Sequence, residues 1–189
     1  MLRRMLLFTA VLLLALVGSA YADLVTNGGF ETGDFTGWTT TPATSDSVFG
    51  INSSNPHTGS YDAYFAASGP YADSISQNIS TTPGQLYRIS FWLANLSLDP
   101  SNSFQVQWGG TTINELIDQQ GFRYTYYTFN ENATASTESL AFLAWNNTGI
   151  YYLDDVSVTS TSSVPIPAAV WLLGSGLIGI AGVRRKFKN

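Results

Sequence analysis

Through the middle of the chain apolar and polar residues alternate with a period of two. Tyr87, Ile89, Phe91 and Leu93 interleave with Arg88, Ser90, Trp92 and Ala94 directly after the turn Thr82-Pro83-Gly84. That predicts a strand with one buried face. Phe104, Val106 and Trp108 interleave with Gln105 and Gln107 and stop at Gly109-Gly110. Tyr124 to Phe129 is rich in β-forming residues, Leu140 to Trp145 reads as a further strand, and Ile150 to Val158 closes the pattern. No stretch between Asp23 and Thr159 carries the helical period. Regular short strands separated by turn residues predict an all-β, two-sheet antiparallel sandwich over residues 23–159, followed by a linker at 160–163.

The two ends break this pattern. Arg3 and Arg4 precede an apolar run from Met5 to Val17, then Gly18, Ser19 and Ala20-Tyr21-Ala22. Charge, apolar core and a small-residue site in that order predict a secretion signal over residues 1–22, cut after Ala22. Ala168 to Val183 is apolar and stops at Arg184, Arg185, Lys186 and Lys188. With Val164 to Pro167 the segment reaches roughly 30 Å as a helix, enough for a single transmembrane helix. The basic stop places the final residues in the cytoplasm and the β domain outside.

Charge sharpens the division. All 13 acidic residues lie between Asp23 and Asp155, where Arg88 and Arg123 are the only basic ones. So acidic a domain repels phosphate backbones, which excludes nucleic acid as a partner. It leaves divalent cations and neutral, hydroxyl-rich ligands. The chain has no cysteine and a single histidine, His57, so disulfides, a thiol nucleophile and the usual zinc sites are unavailable. An exported chain without disulfides fits a Gram-negative envelope.

Candidate chemistry follows from strand parity. Trp92 with Arg88, and Gln105 with Gln107, fall on the faces opposite the packed residues, where Tyr127 and Trp145 are candidates to join them. Flat rings suit the apolar faces of sugars, and Arg and Gln offer in-plane partners to hydroxyls. These six are the candidate ligand-binding residues, and Trp38, after Gly37, is assigned to the core. Period two puts Asp154 on the face of Tyr152, Val156 and Val158, among apolar neighbours, where a carboxylate needs a cation or several donors. Glu31, in the turn-rich Asn27-Gly28-Gly29-Phe30-Glu31 opening, is its candidate partner, because such sandwiches bring first and last strands together. The alternative is that Asp154 accepts backbone hydrogen bonds while Glu31 caps a turn. No carboxylate pair or serine sits in a catalytic setting, and His57 reads as a loop residue, so the chain is not expected to be an enzyme.

Two resemblances add to this. The string VPIPAAVWLLGSGLIGIAGVRRKFKN from Val164 to Asn189 resembles the PEP-CTERM sorting tails in their VPLPA-type variant. It implies recognition by a membrane-embedded exosortase in Gram-negative bacteria that make exopolysaccharide, with Val164, Pro165, Pro167, Arg184 and Arg185 as the sorting motif. Val-Pro-Ile-Pro stands where that family's name-giving motif has Pro-Glu-Pro. The segments LVTNGGFETGDFTGW, HTGSYDAYFA, ISQNISTTPGQLYRISFWL and YYLDDVSV, in that order, resemble the jelly-roll, galactose-binding-like modules, carbohydrate-binding modules among them. In those modules the glutamate and aspartate matching Glu31 and Asp154 help to hold a structural Ca2+. Backbone carbonyls complete that site, some of them from the loop corresponding to His57-Thr58-Gly59-Ser60. Together these imply an exported, exosortase-sorted protein of the cell surface or extracellular matrix, passing through the secretion machinery and held at least transiently in the inner membrane. Its sandwich is expected to bind exopolysaccharide without catalysis. The alternative is a structural or protein-binding envelope or biofilm protein with no sugar affinity.

Overall fold

Each run of alternating residues forms a strand, and five strands that the alternation does not mark complete two sheets. The computed structural model describes residues 22–45 and 47–161. The expected secretion signal, apart from Ala22, and the expected sorting tail with Val164, Pro165, Pro167, Arg184 and Arg185 lie outside the described residues. The strands are β1 (Thr39–Thr41), β2 (Phe49–Asn52), β3 (Asp62–Phe65), β4 (Asp73–Ser80), β5 (Leu86–Asn95), β6 (Asn102–Trp108), β7 (Thr111–Ile117), β8 (Phe122–Asn132), β9 (Thr137–Asn146) and β10 (Tyr151–Ser160). One sheet has the order β1-β4-β9-β6-β7 and the other β2-β3-β10-β5-β8, with every pairing antiparallel. This is an all-β jelly-roll sandwich, as the alternation and the resemblance predict.

The core is made by the inward parity of both sheets. Ile89, Phe91 and Leu93 of β5 face Phe104 and Val106 of β6 and Leu140 and Phe142 of β9, all with no exposed surface. Phe91 and Phe142 meet edge to face at 5.2 Å between ring centroids. Each such side chain contributes roughly 1.5–3 kcal/mol by leaving water. Trp38 is buried against Phe30 and Phe142, the core position its sequence context predicts.

First and last segments do come together. The Leu24 amide donates to Val158 O and the Val156 amide to Gly28 O. Gly28 is required here, since a Cβ at that position would lie 1.9 Å from the Val156 carbonyl oxygen. In the same stretch β10 is bulged between Asp154 and Ser157, with Asp155 at φ 50°. The bulge corrects one expectation. Tyr152 and Asp154 point outward, whereas Val156 and Val158 turn inward into the core, because the extra residue inverts the parity between them.

Candidate functional site: two outer faces

The six expected ligand residues divide between opposite sides of the sandwich, with one of them inside it. On the outer face of β1-β4-β9-β6-β7, register places Thr41, Ser74, Leu143, Gln105 and Glu115 in one row across all five strands. The adjacent row runs Thr39, Ser76, Ala141, Gln107 and Thr112. Gln107 Nε2 donates to Gln105 Oε1 at 2.6 Å, and Gln105 Nε2 reaches Glu115 Oε1 at 3.4 Å, so the amides are chained and held in orientation. Trp145 stands on the same face, paired with Ser103. The loop before β4 pins it. The Gly69 amide donates to Asn147 Oδ1 at 2.7 Å, and a Cβ on Gly69 would lie 2.2 Å from the indole. That loop also carries Tyr71, which is 64% exposed. At the β1/β4 margin of this sheet opens a groove of about 610 Å³, lined by Asp23, Thr26, Thr39, Gln77, Asn78 and Ser80. Sequence parity placed Gln105, Gln107 and Trp145 on an outer face, as the register has them; it gave no sign of Tyr71, which lies in a loop.

Arg88 and Trp92 lie on the outer face of the other sheet. Trp92 is opposite Asp154 on one side and Tyr126 on the other. It points outward, as its parity predicts, but it is no open platform. The His57 ring stacks on it at 3.9 Å and 19°, and Tyr126 lies at 5.4 Å. Arg88 is exposed, four residues along the strand. Tyr127 is not on either outer face, which corrects its placement. It pairs with Phe91 and stacks on it at 5.4 Å, and residues directly opposite on neighbouring strands share a side.

His57 belongs to a loop that roofs a cluster of carboxylates. Asp154 Oδ2 accepts from the amides of His57 (2.8 Å) and Thr58 (3.1 Å), and its Oδ1 from the Asp155 amide. Glu31 accepts from the amides of Ser60 and Tyr61, and His57 Nδ1 lies 2.6 Å from Asp155 Oδ2. Beside Asp154, one position beyond the Ala63–Leu153 pair, lies Asp62. It has no exposed surface, its Oδ1 has no partner, and Oδ2 is 3.3 Å from the Tyr124 hydroxyl, which donates to Asn55 O. Burial lifts the Asp62 carboxyl to about 7, opposed by the Tyr124 contact and reinforced by the charge of Asp154. Burial likewise lifts Asp154 to about 6 against the pull of its amide donors. Among the described residues the His57–Asp155 contact is the only one within 4.0 Å between a basic side chain and a carboxylate.

Glu31 and Asp154 therefore converge on one loop, 57–61, and both are satisfied by amides. Their oxygens are hard donors of the kind Ca2+ takes. Among the described residues no three His, Cys, Asp or Glu side chains surround a common point. Sequence reasoning missed Asp62. The alternation of Asp62 and Tyr64 with Ala63 and Phe65 turns the aspartate away from the core, but over four residues it is too short to stand out in the sequence.

No family model and no curated protein matches the chain. Solved structures do. The carbohydrate-binding module TmCBM61, determined with β-1,4-galactotriose, superposes with a TM-score of 0.56 at 18% identity, over 74% of this chain and 99% of that one. The chain has the jelly-roll fold of carbohydrate-binding modules. The K3 cleaved adhesin domain of Lys-gingipain from Porphyromonas gingivalis W83 gives 0.55 at 18% identity, covering 74% of this chain and 99% of the other. The CBM22-1 xylan-binding domain of Paenibacillus barcinonensis Xyn10C gives 0.51 at 13% identity, covering 78% and 100%. At these identities the likeness is one of fold.

Proposed function

We propose that this is an exported, non-catalytic module that binds a neutral extracellular polysaccharide on the outer face of β1-β4-β9-β6-β7. The observation that carries the reading is the oriented chain Gln107–Gln105–Glu115 beside Trp145, on a face whose other side chains are mostly short hydroxyls with Leu143 and Ile117 among them. Amides and a carboxylate in fixed orientation recognise sugar hydroxyls, and an indole held from one side by Gly69 stacks on a ring. Binding modules for galactotriose and xylan share this fold, which supports the class of ligand. The secretion signal and the PEP-CTERM-like tail complete the proposal. They carry the chain through the secretion machinery and an exosortase to the cell surface or matrix, where exopolysaccharide is the available glycan. A protein-binding surface role is the second reading, favoured by the likeness to the cleaved adhesin domain.

The test is a glycan-array screen of the protein followed by titration of the best glycan. Trp145→Ala is expected to weaken binding on the order of tenfold or more, taking stacking on aromatics at about 1–3 kcal/mol, and Gln105→Ala several-fold. Loss of neither would sink the site. If no glycan binds, the protein-binding reading stands instead.

A structural Ca2+ held by Glu31 and Asp154 belongs to the same proposal, supported by two carboxylates that meet at one loop, with neither Arg88 nor Arg123 in an ion pair among the described residues. An ion bound only by the native state adds about 2.7 kcal/mol at 100 times its dissociation constant. Chelation is therefore expected to lower the melting temperature by several degrees in the wild type and not in Asp154→Ala. Superimposable melts with and without chelator would remove the ion from the proposal.

A further inference from the structure

Away from both outer faces, one end of the sandwich carries a pocket of about 340 Å³ between the β5–β6 loop and the start of β8. Leu96, Leu98 and Phe122 give it an apolar lining. Leu98 is 98% exposed, so the core makes no use of it. The loop that carries the two leucines is packed closely from both sides. A Cβ on Gly121 would lie 2.5 Å from Ser97 O, and one on Gly149 would lie 2.5 Å from Ser97 Cα.

Most polar side chains of the lining are already bonded within the fold. Asn95 has no exposed surface, accepts from Asn146 Nδ2 and donates to Gln119 O. Ser97 Oγ donates to Asp99 O at 2.6 Å. Arg123 differs. It is exposed, it is one of two basic residues in the span that holds all 13 acidic ones, and among the described residues it is in no ion pair. The pairing of β8 with β5 explains its position. Leu93 is opposite Thr125 but Asn95 is opposite Phe122, so β8 holds one extra residue at Arg123 and Tyr124, and such a bulge re-aims a side chain out of the strand's alternation.

A guanidinium beside an apolar lining recognises a planar carboxylate on a body that has an apolar face. Resting on the polysaccharide reading, we propose that this pocket takes a carboxylate-bearing sugar, an acidic unit borne by an otherwise neutral glycan. Charge selects a single carboxylate, because one free cation in so acidic a domain can hold one anion while a polyanion is repelled. Placement selects a sugar. Ser97 Oγ meets Thr148 Oγ1 at 3.1 Å, and the adjacent Asn147 holds the Gly69 that backs the Trp145 indole. The pocket and the stacking ring thus flank one cluster of loops at the same end of the sandwich, and a glycan stacked on Trp145 leads across those loops toward Arg123.

The experiment is a titration of the full chain in detergent micelles, followed by the amide shifts of Leu98, Gly121 and Phe122. The probes are methyl galacturonoside, its methyl ester and methyl galactoside. The acid is expected to bind on the order of tenfold or more tightly than the two uncharged sugars, the effect of one charge-assisted hydrogen-bonded pair. Arg123→Gln is expected to abolish that preference, and Leu98→Ser to weaken the acid several-fold, both with unchanged melting temperature. Trp145→Ala is expected to leave the acid's affinity as it is in the wild type. Acid binding that needs Arg123 and not Trp145 supports the pocket whether or not a neutral glycan binds the Trp145 face, so the two readings fail separately. Equal affinity for acid and ester, or an acid affinity that Arg123→Gln leaves intact, overturns the proposal. So does Arg123-dependent binding of N-acetylleucine with none of the galacturonoside, which would make this a pocket for a peptide C-terminus.

Discussion

Asp62→Asn raises the melting temperature by several degrees at pH 8 and changes it little at pH 4. The expectation follows from burial. Asp62 has no exposed surface, one carboxylate oxygen without a partner and a second aspartate beside it, and its carboxyl is pushed up to about 7. In the unfolded chain it titrates near the ordinary value of about 3.9. Below that the group is protonated in both states, and its contribution to stability is fully present. Between about pH 4 and 7 the native state holds a proton that the unfolded state has lost, so stability falls as pH rises. Above 7 the loss is complete, on the order of 3–4 kcal/mol for this group taken alone. Asparagine occupies the same space without a charge and escapes that penalty. Thermal melts of both proteins at pH 4, 6 and 8, with chelator present so that no cation neutralises the cluster, measure it directly. A difference between the two proteins that is independent of pH would show that Asp62 is not buried as a carboxyl.

The same cluster shows where alternation along the chain is a sufficient guide and where it stops. Parity alone puts Phe91 inside and Trp92 outside, because β5 pairs without interruption from Tyr87 to Leu93 with β8. It assigns Gln105 and Gln107 to one outer face for the same reason. Parity cannot say which two faces are the same face. That depends on sheet order, and β5 and β6, although consecutive, lie in different sheets. Hence Trp92 and Trp145, equivalent in pattern, end on opposite sides of the molecule. Asp154 fails differently. One bulged residue inverts the parity of β10, an event written in the left-handed backbone of Asp155 and not in any hydrophobic period. β1, β2 and β3 are three or four residues long, too short for alternation to stand out, and their places are fixed by β4 and β10. The roof over the acidic cluster is a loop, and loops close through amide donors that the sequence does not display.

Trp92→Ala is expected to cost about 2–4 kcal/mol of stability and to leave glycan affinity unchanged. The indole sits between Asp154 and Tyr126, and the stacked His57 ring rests on its face. Truncating a packed aromatic side chain costs about 3–5 kcal/mol when the site cannot collapse. This one is half-buried and on a surface, so the lower part of the range applies. The loss extends beyond the ring's own contacts. His57 and Thr58 donate their amides to Asp154, and the His57 side chain holds Asp155, so a loop released from Trp92 also loosens its hold on the last strand. Water then reaches Asp62 and Asp154, and both carboxyls drop toward the ordinary range. The variant should therefore be destabilised most at low pH, with a flatter dependence of melting temperature on pH than the wild type. Trp92→Phe, which keeps a ring under His57, should recover most of both effects. If Trp92→Ala instead melted like the wild type and lost affinity for the glycan that Trp145 recognises, the binding face would lie on the β2-β3-β10-β5-β8 sheet. The stacked histidine would then have to be a lid that the sugar displaces.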